Sequence, residues 1–245
     1  MFKTMKMPSI AVPIDAGERQ PDPTHGAPRP DGRRARGADP AGARGRLLAA
    51  AISLIRCKGY AATTVDQLCA AASVTKGAFF HHFPTKEALG VAAADQWSAH
   101  AAARFGAASY HQEPTPLGRV LAYIDMRREL ITGPAEAFSC VAGTMAQETF
   151  LSSPAIRDAC GASITSTAGL LEGDIAAAIN ECGVAGVDAH SLALHVQAVI
   201  QGGFILAKAT GNPELARESV AHLRRYFELL FAAAEPQSHT HAPRE

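Results

Sequence analysis

The side chains of residues 75–78 have the types and spacing needed to approach a nucleic acid. Thr75, Lys76, Gly77 and Ala78 follow one another at the predicted start of a short helix. The major groove of DNA admits a helix whose backbone can come close to the base edges, and glycine and alanine leave that room. A glycine inside a helix costs about 1 kcal/mol relative to alanine, so Gly77 calls for a reason of this kind. The amides at the helix start also favour a phosphate group.

Three predicted helices position these residues. An apolar stripe at helical spacing predicts the first helix, from about residue 43 to Lys58: Leu47, Leu48, Ala51, Leu54 and Ile55. The run 64–67 (Thr-Val-Asp-Gln) is a capping box that begins a second helix ending near Ala71. Thr75 begins a third helix that ends near His82. Two short helices joined by the turn 72–74 form a helix-turn-helix plan, and we expect Val74 to fill the core between them.

The charged residues are divided unevenly along a chain whose formal net charge is zero. Residues 1–86 contain 13 Lys and Arg against 6 Asp and Glu, whereas residues 87–245 contain 10 against 17. A basic front suits a protein that places one end on a polyanion. Residues 1–40 contribute to this excess as a Pro-, Gly- and Arg-rich arm that we expect to be disordered. The arm either stays solvated or enters a minor groove beside the helices.

Other chemistries have little support in the sequence. Five widely spaced cysteines include no C-x-x-C pair, so we expect neither a disulfide framework nor a structural zinc site: Cys57, Cys69, Cys140, Cys160 and Cys182. We find no signal peptide, no membrane-length apolar run and no catalytic motif of the G-x-S-x-G or H-E-x-x-H kind. The prediction is a cytoplasmic protein that is not an enzyme, contacts no membrane and holds no cofactor or metal.

The segment from Gly59 to Leu89 resembles the signature of the TetR family of transcriptional regulators. The resemblance rests on a glycine–aromatic pair at 59–60, a double threonine at 63–64, a lysine–glycine pair at 76–77 and the His-Phe-x-x-Lys-Glu run at 82–87. It implies an all-α, TetR-like fold, with a three-helix helix-turn-helix DNA-binding domain over 41–89. A six-helix ligand-binding and dimerisation domain would follow over 90–235, and a disordered tail over 236–245.

The resemblance also implies which residues contact a palindromic operator in double-stranded DNA. The predicted contact set is Thr63, Thr64, Thr75, Lys76, Gly77, Ala78, Phe80, His81 and Lys86. Phosphate contacts are implied for Thr64, Thr75, His81, Lys86 and the position of Phe80, and contacts with base edges for residues 76–78. Two positions depart from the family. Phe80 replaces a usual tyrosine and so lacks a phosphate-bonding hydroxyl, and Ser73 replaces a glycine in a turn that needs a positive φ.

Capping patterns predict the helices of the second domain. Three starts place a capping residue before a proline at the first helical position: Thr115-Pro116, Ser153-Pro154 and Asn212-Pro213. The predicted helices lie near 86–109, 116–132, 136–151, 154–182, 188–210 and 213–234. The last two resemble the pair that forms the dimer interface in the family. Their apolar stripes form either that interface or an intramolecular core: Leu192, Val196, Val199, Ile200, Gly203, Phe204, Ala207, Val220, Leu223, Phe227, Leu230 and Phe231.

A cavity for an unidentified small-molecule effector is expected among the helices of residues 86–182. The candidate ligand contacts are Trp97, Tyr123, Met126, Cys140 and Met145, together with His100, Phe138, Gln147 and Glu148, and each has plain core or surface as its alternative. Cys140 and Gly143 resemble a Cys-x-x-Gly element of a family subset, in which some members respond to oxidants or electrophiles. The alternative for Cys140 is a small buried apolar residue.

The resemblance to the TetR family implies a homodimeric repressor that an effector releases from DNA. Effector binding would move the helix at 86–109, whose first residue touches the DNA-binding domain, here called the head. This movement would change the spacing between the third helices of the two heads in the dimer. The alternative is a helical small-molecule-binding or interaction protein with impaired DNA binding.

Overall fold

The computed structural model describes residues 42–232, and every regular element in that range is helical. The ten α-helices are α1 Gly42–Lys58, α2 Val65–Ala72, α3 Lys76–His82, α4 Lys86–Gly106, α5 Pro116–Glu129, α6 Ala135–Phe138, α7 Val141–Thr149, α8 Pro154–Cys182, α9 Ala189–Thr210 and α10 Glu214–Ala232. A 3-10 turn, Ser109–Gln112, joins α4 to α5. The all-α fold is confirmed. The predicted basic arm and C-terminal tail lie outside the described residues.

Side-chain caps begin the helices where the sequence predicts them. The capping box of α2 is complete, since Thr64 Oγ1 accepts from the Gln67 amide at 3.3 Å and Gln67 Oε1 accepts from the Thr64 amide at 3.0 Å. Thr115 and Ser153 cap α5 and α8 in the same way, each ahead of a proline. Caps of this kind contribute about 1 kcal/mol each. Local chemistry therefore accounts for most helix starts.

Three predicted helices differ from the structure, and one of them is the helix predicted over 116–132, which ends at Glu129. The helix predicted over 86–109 ends at Gly106, where the 3-10 turn follows. The helix predicted over 136–151 is divided into α6 and α7 at an extended segment, residues 139 and 140. The Ser139 carbonyl accepts a hydrogen bond from Arg56 Nε at 2.7 Å, which takes it out of the helical ladder. A bond between residues 83 positions apart leaves no periodic signal in the local sequence.

Most side chains of the α9 and α10 stripes lie in the chain's own core, so the second of the two alternatives holds for them. Members of both stripes are buried against α5 and α8: Leu192, Val196, Ile200, Phe204, Ala207, Val220, Leu223, Phe227 and Phe231. A Cβ atom at Gly203 would lie 3.2 Å from Ala216 Cα, so this glycine allows the two helices to pack closely. By length and composition α9 alone, among the described helices, could cross a membrane, with a mean hydropathy of 1.3. Its buried side chains belong to the core that it shares with α8 and α10.

Candidate nucleic-acid interface and internal cavity

The turn between α2 and α3 is built on a left-handed residue. Ser73 has φ 53° and ψ 49°, and it is the one non-glycine residue with positive φ in the part of the chain that the structure describes. Its amide donates to the Ala70 carbonyl at 3.2 Å, and the Val74 amide donates to the Cys69 carbonyl at 3.0 Å. Arg46 Nε donates to the Ala72 carbonyl at 2.9 Å. The expectation that this turn needs a positive φ is confirmed, at a strain of about 1–2 kcal/mol for serine.

The apolar side of α3 orients its polar side outward. Phe79 is fully buried and Phe83 is 3% exposed, both in a core shared with α1, α2 and α4. Val74 is half-buried against the same core, as predicted. Phe80 and His81 follow on the other side of the helix and are exposed, with Phe80 at 50%. Residues 75–77 are likewise exposed, so a small and polar surface stands away from the core.

The exposed cap residues retain hydrogen-bonding capacity for a partner. Thr75 Oγ1 accepts from the Ala78 amide at 3.1 Å and keeps its hydroxyl hydrogen for donation, as Thr64 does at the start of α2. Lys76 Nζ pairs with Asp66 Oδ1 at 2.7 Å. The hydrogen bond from Lys76 to Asp66 raises the pKa of this lysine above its usual value. The surface therefore presents a lysine, paired with Asp66, beside two hydroxyl donors.

Two residues of the predicted contact set have intramolecular roles. Thr63 is 1% exposed, and its hydroxyl donates to the Gly59 carbonyl at 2.7 Å. Its side chain therefore holds the α1–α2 loop and does not reach a DNA surface, which corrects the prediction for this residue. Lys86 Nζ lies 4.2 Å from the centre of the Tyr60 ring, and burial lowers the pKa of this lysine. Lys86 ties α4 to the same loop.

An internal cavity of about 290 Å³ lies among α1, α4, α5, α6, α8 and α9. Of the main ligand candidates, Trp97 and Cys140 line it, as do His100 and Phe138. Tyr123 and Met145 are fully buried in the packing on either side of it, and Met126 packs against the core of the second domain. Gln147 and Glu148 are exposed on α7 and do not line it. These five residues are therefore not contacts for a ligand in this cavity.

Three arginines line the cavity and were not predicted from the sequence: Arg56, Arg104 and Arg127. The Arg56 guanidinium lies 5.0 Å from the Trp97 ring centre, and burial lowers the pKa of this arginine. Arg127 is 9% exposed and donates to the Tyr123 hydroxyl at 2.6 Å. A signal for Arg127 was available, because it continues the buried face of α5 at a spacing of four from Tyr123.

Cys140 sits at the break between α6 and α7 and faces the cavity. It is half-buried, and its sulfur accepts from the Gly143 amide at 3.4 Å as the cap of α7. A Cβ atom on Gly143 would overlap the Gln201 side-chain amide, so the glycine leaves room for that amide. By contrast, burial raises the pKa of the Cys160 thiol to about 12, which makes it unreactive. Residues 42–232 contain no cluster of three or more metal-ligating side chains.

Contacts between α7 and the α1–α2 loop connect the cavity region to the helix-turn-helix. Glu148 Oε2 accepts from the Ala61 amide at 2.7 Å. Gly59 has φ +90°, and a Cβ atom there would overlap the Glu148 carboxylate. Arg56 belongs to α1 yet lines the cavity, so one residue of the head reaches the space where a ligand would lie. Residues of the head therefore contact the cavity and the helix α7 beside it directly.

Two family models match this chain. Residues 47–93 match the bacterial regulatory proteins of the tetR family, and residues 116–221 match the C-terminal domain of LmrA/YxaF-like transcriptional regulators. The first match covers the helix-turn-helix, and the second covers α5 to α9 and part of α10. Both parts of the chain thus correspond to parts of known regulators.

Individual relatives agree with these matches. The transcriptional regulator AcuR of Cereibacter sphaeroides is 30% identical over 102 residues, which are 42% of this chain and 47% of AcuR. The regulator CymR of Pseudomonas putida is 50% identical over 42 residues, 17% of this chain and 21% of CymR. The matched segments therefore span less than half of these relatives.

Solved structures show the same fold over most of the chain. A TetR-family regulator of Agrobacterium tumefaciens aligns with a TM-score of 0.67 at 22% identity, covering 78% of this chain and 99% of that one. The reduced form of NemR from E. coli aligns with a TM-score of 0.63 at 24% identity, covering 75% and 96%.

Proposed function

The chain belongs to the TetR family of DNA-binding transcriptional regulators, and from this premise we propose that it is a homodimeric repressor released from its operator by a small effector. The exposed start of α3 carries the proposal. There Gly77 and Ala78 are small enough to allow the helix backbone to approach the floor of the major groove. The exposed Thr75 and Lys76 are placed to contact phosphate groups or base edges. Repression is the usual mode of the family. We place the protein in the cytoplasm, where its DNA partner is.

A dimer is supported by an exposed apolar face on the outer side of α9 and α10. The large apolar side chains exposed there are Ile205, Leu206, Tyr226 and Leu229, with exposures from 41% to 65%. Small residues between them, Ala198 and Gly202, leave the backbone of α9 accessible to a second helix. A second copy packed on this face would form an isologous four-helix interface. It would also supply the second head that a palindromic site requires.

Effector release is supported by the contacts between the cavity and the head. Helix α4 starts beside the head at Lys86 and lines the cavity with Trp97 and His100. Arg56 reaches the same space from α1, and Glu148 holds the loop that follows α1. A ligand that fills the cavity would displace these side chains and shift both helices. The heads would then lose the spacing that matches the two half-sites.

Fluorescence anisotropy with labelled duplex from upstream of the chain's own gene tests the DNA-binding part. We expect tight binding that weakens steeply with salt, because phosphate contacts release counterions. Lys76→Ala should weaken binding by about 10-fold. The matched control Arg128→Ala removes an exposed charge from α5 and should leave binding unchanged. Absence of specific binding would favour the alternative of a helical ligand-binding protein, to which the missing hydroxyl at Phe80 and the strained turn at Ser73 also point.

Sedimentation velocity tests the dimer separately. Leu229→Asp places a charge at a side chain that is 65% exposed, so the fold should tolerate it while the dimer weakens by at least about 10-fold. Leu151→Asp is the control, because Leu151 is 83% exposed but lies in the α7–α8 connection. A monomeric wild-type protein, or equal effects of both substitutions, would contradict the proposed interface.

A further inference from the structure

The cavity is lined by several arginine side chains. Its polar lining includes Arg56, Arg104, Arg127 and His100, and no aspartate or glutamate is among its lining residues. Buried charges in proteins are normally paired, because an unpaired charge in a low-dielectric site is strongly unfavourable. Arg127 is the one buried arginine of this lining, whereas Arg104 and His100 are exposed to solvent, so the missing negative partner is that of Arg127.

Arg127 is the most enclosed of these charges. Its guanidinium lies 4.9 Å from the Phe105 ring centre and 5.5 Å from that of Tyr123. The hydrogen bond to the Tyr123 hydroxyl is its one hydrogen bond within residues 42–232, and no carboxylate of that range pairs with it. A guanidinium has five N–H donors and stays protonated. The two rings hold it in place, and most of its donors remain available to a ligand.

Gln197 supplies a second donor without an acceptor. It lies on α9, is 3% exposed and lines the same cavity. Its Nε2 atom is buried and has no hydrogen-bond partner among the described residues. A buried donor left unsatisfied is costly, so an acceptor on a ligand would stabilise the protein. A ligand with hydrogen-bond acceptors would therefore satisfy both Arg127 and Gln197.

The remaining wall is apolar and aromatic. It is formed mainly by Trp97, Phe105, Ile131, Phe138, Ile164 and Phe204. The volume of about 290 Å³ lies at the small end of the range for small-molecule pockets. This wall suits a compact hydrocarbon group, and the guanidinium of Arg127 matches the two oxygens of a carboxylate.

We propose that the cavity binds a small organic monocarboxylate, with its carboxylate on Arg127, an acceptor for Gln197, and its hydrocarbon part among the aromatic side chains. The proposal names the effector class for the site and so rests on the proposed function of the cavity. Arg127 and Gln197 are the residues that select the ligand.

Calorimetric titration of the full chain with matched pairs of compounds tests the ligand class. The probes are the straight-chain carboxylates from propanoate to octanoate, benzoate and phenylacetate, each with its primary amide. We expect at least one carboxylate to bind and to bind at least about 10-fold more tightly than its amide. Equal binding of acid and amide, or no binding by any carboxylate, would overturn the proposal.

Substitutions locate the interaction. Arg127→Met should weaken carboxylate binding by at least about 10-fold, whereas Arg128→Met, an exposed neighbour on α5, should not. Arg127→Lys keeps the charge but loses the planar fork of the guanidinium. Its affinity for carboxylates should therefore lie between those of the wild type and Arg127→Met, and it replaces the methionine variant if that variant fails to fold. Unchanged binding in the folded Arg127 variant would refute the assignment.

Operator release is measured separately with the same compounds. Carboxylates that bind through Arg127 but leave DNA bound would support the ligand class and contradict the proposed release mechanism. Neutral compounds that release DNA, with no binding of carboxylates, would support release and contradict the ligand class.

Discussion

The surface that we propose to face DNA and the cavity are assembled in opposite ways. The surface comes from one run of residues, 73–81, whose small and polar side chains are exposed while Phe79 holds them on the core. The cavity takes residues from α1, α4, α5, α6, α8 and α9 and encloses Arg127 in a largely apolar wall. The exposed residues of the first, such as Gly77, make few packing contacts, whereas most side chains of the second are part of the packing. A binding surface formed by consecutive residues can therefore be predicted from the sequence, whereas a cavity formed by residues that only packing brings together cannot.

The largest expected effect is at Gly77. Only Thr75 Oγ1, at 3.9 Å, lies near the Cβ atom that a substitution would add, so the fold has room for a side chain. Gly77→Leu should keep or raise thermal stability, since glycine is a poor helix former. It should weaken operator binding by about 100-fold, because the side chain would stand between α3 and the groove floor. Gly77→Ala serves as the milder control, and parallel loss of stability and binding would contradict a purely DNA-facing role.

Next in size is the effect expected at Cys140. If this thiol senses oxidants, hydrogen peroxide or diamide should release the wild-type protein from DNA. Cys140→Ser should abolish that release while leaving binding of the untreated protein intact. Cys57→Ser, at an exposed cysteine near the end of α1, is the control. If oxidants release the Cys140→Ser variant from DNA as readily as the wild type, Cys140 is not the sensor and only lines the cavity.

A smaller effect is expected at Arg56, which belongs to both regions. Arg56→Met removes the hydrogen bond to the Ser139 carbonyl and the stacking on Trp97. The effector should still bind, but its effect on DNA affinity should fall by about 5- to 10-fold, since allosteric coupling is typically worth about 1–3 kcal/mol. Operator titrations with and without effector measure this ratio. An unchanged ratio would remove Arg56 from the path between the two regions.

The smallest effect is expected at Ser73 and concerns the head alone. Ser73→Gly should raise the free energy of unfolding by about 1 kcal/mol, because glycine adopts φ 53° without strain. Ser73→Ala keeps the Cβ atom and should give no such gain. Denaturant unfolding monitored by circular dichroism gives both values. A destabilising Ser73→Gly would mean that the serine side chain has an unrecognised role in the turn.

The same contrast explains what the sequence could predict. Caps at Thr64, Thr115 and Ser153, and the apolar stripes beside them, predict most helix bounds because they act within one or two turns. The break at Ser139 was missed, and the Arg56 side chain that donates to its carbonyl lies far away in the sequence.

The cavity arginines were missed for the same reason. Arg127 follows the buried face of α5, but only packing against Phe105 shows what encloses it. Likewise the stripes of α9 and α10 have the spacing of an interface and of a core alike, and only the packed structure distinguishes the two.

Selection of binding sites from a random duplex library by the full chain tests the central claim most directly. The account predicts enrichment of a palindrome whose half-sites lie about 34 Å apart, or a multiple of that distance, and loss of the enrichment in Gly77→Leu. Recovery of no sequence preference by the folded wild-type protein, or the same preference from Gly77→Leu, would contradict it.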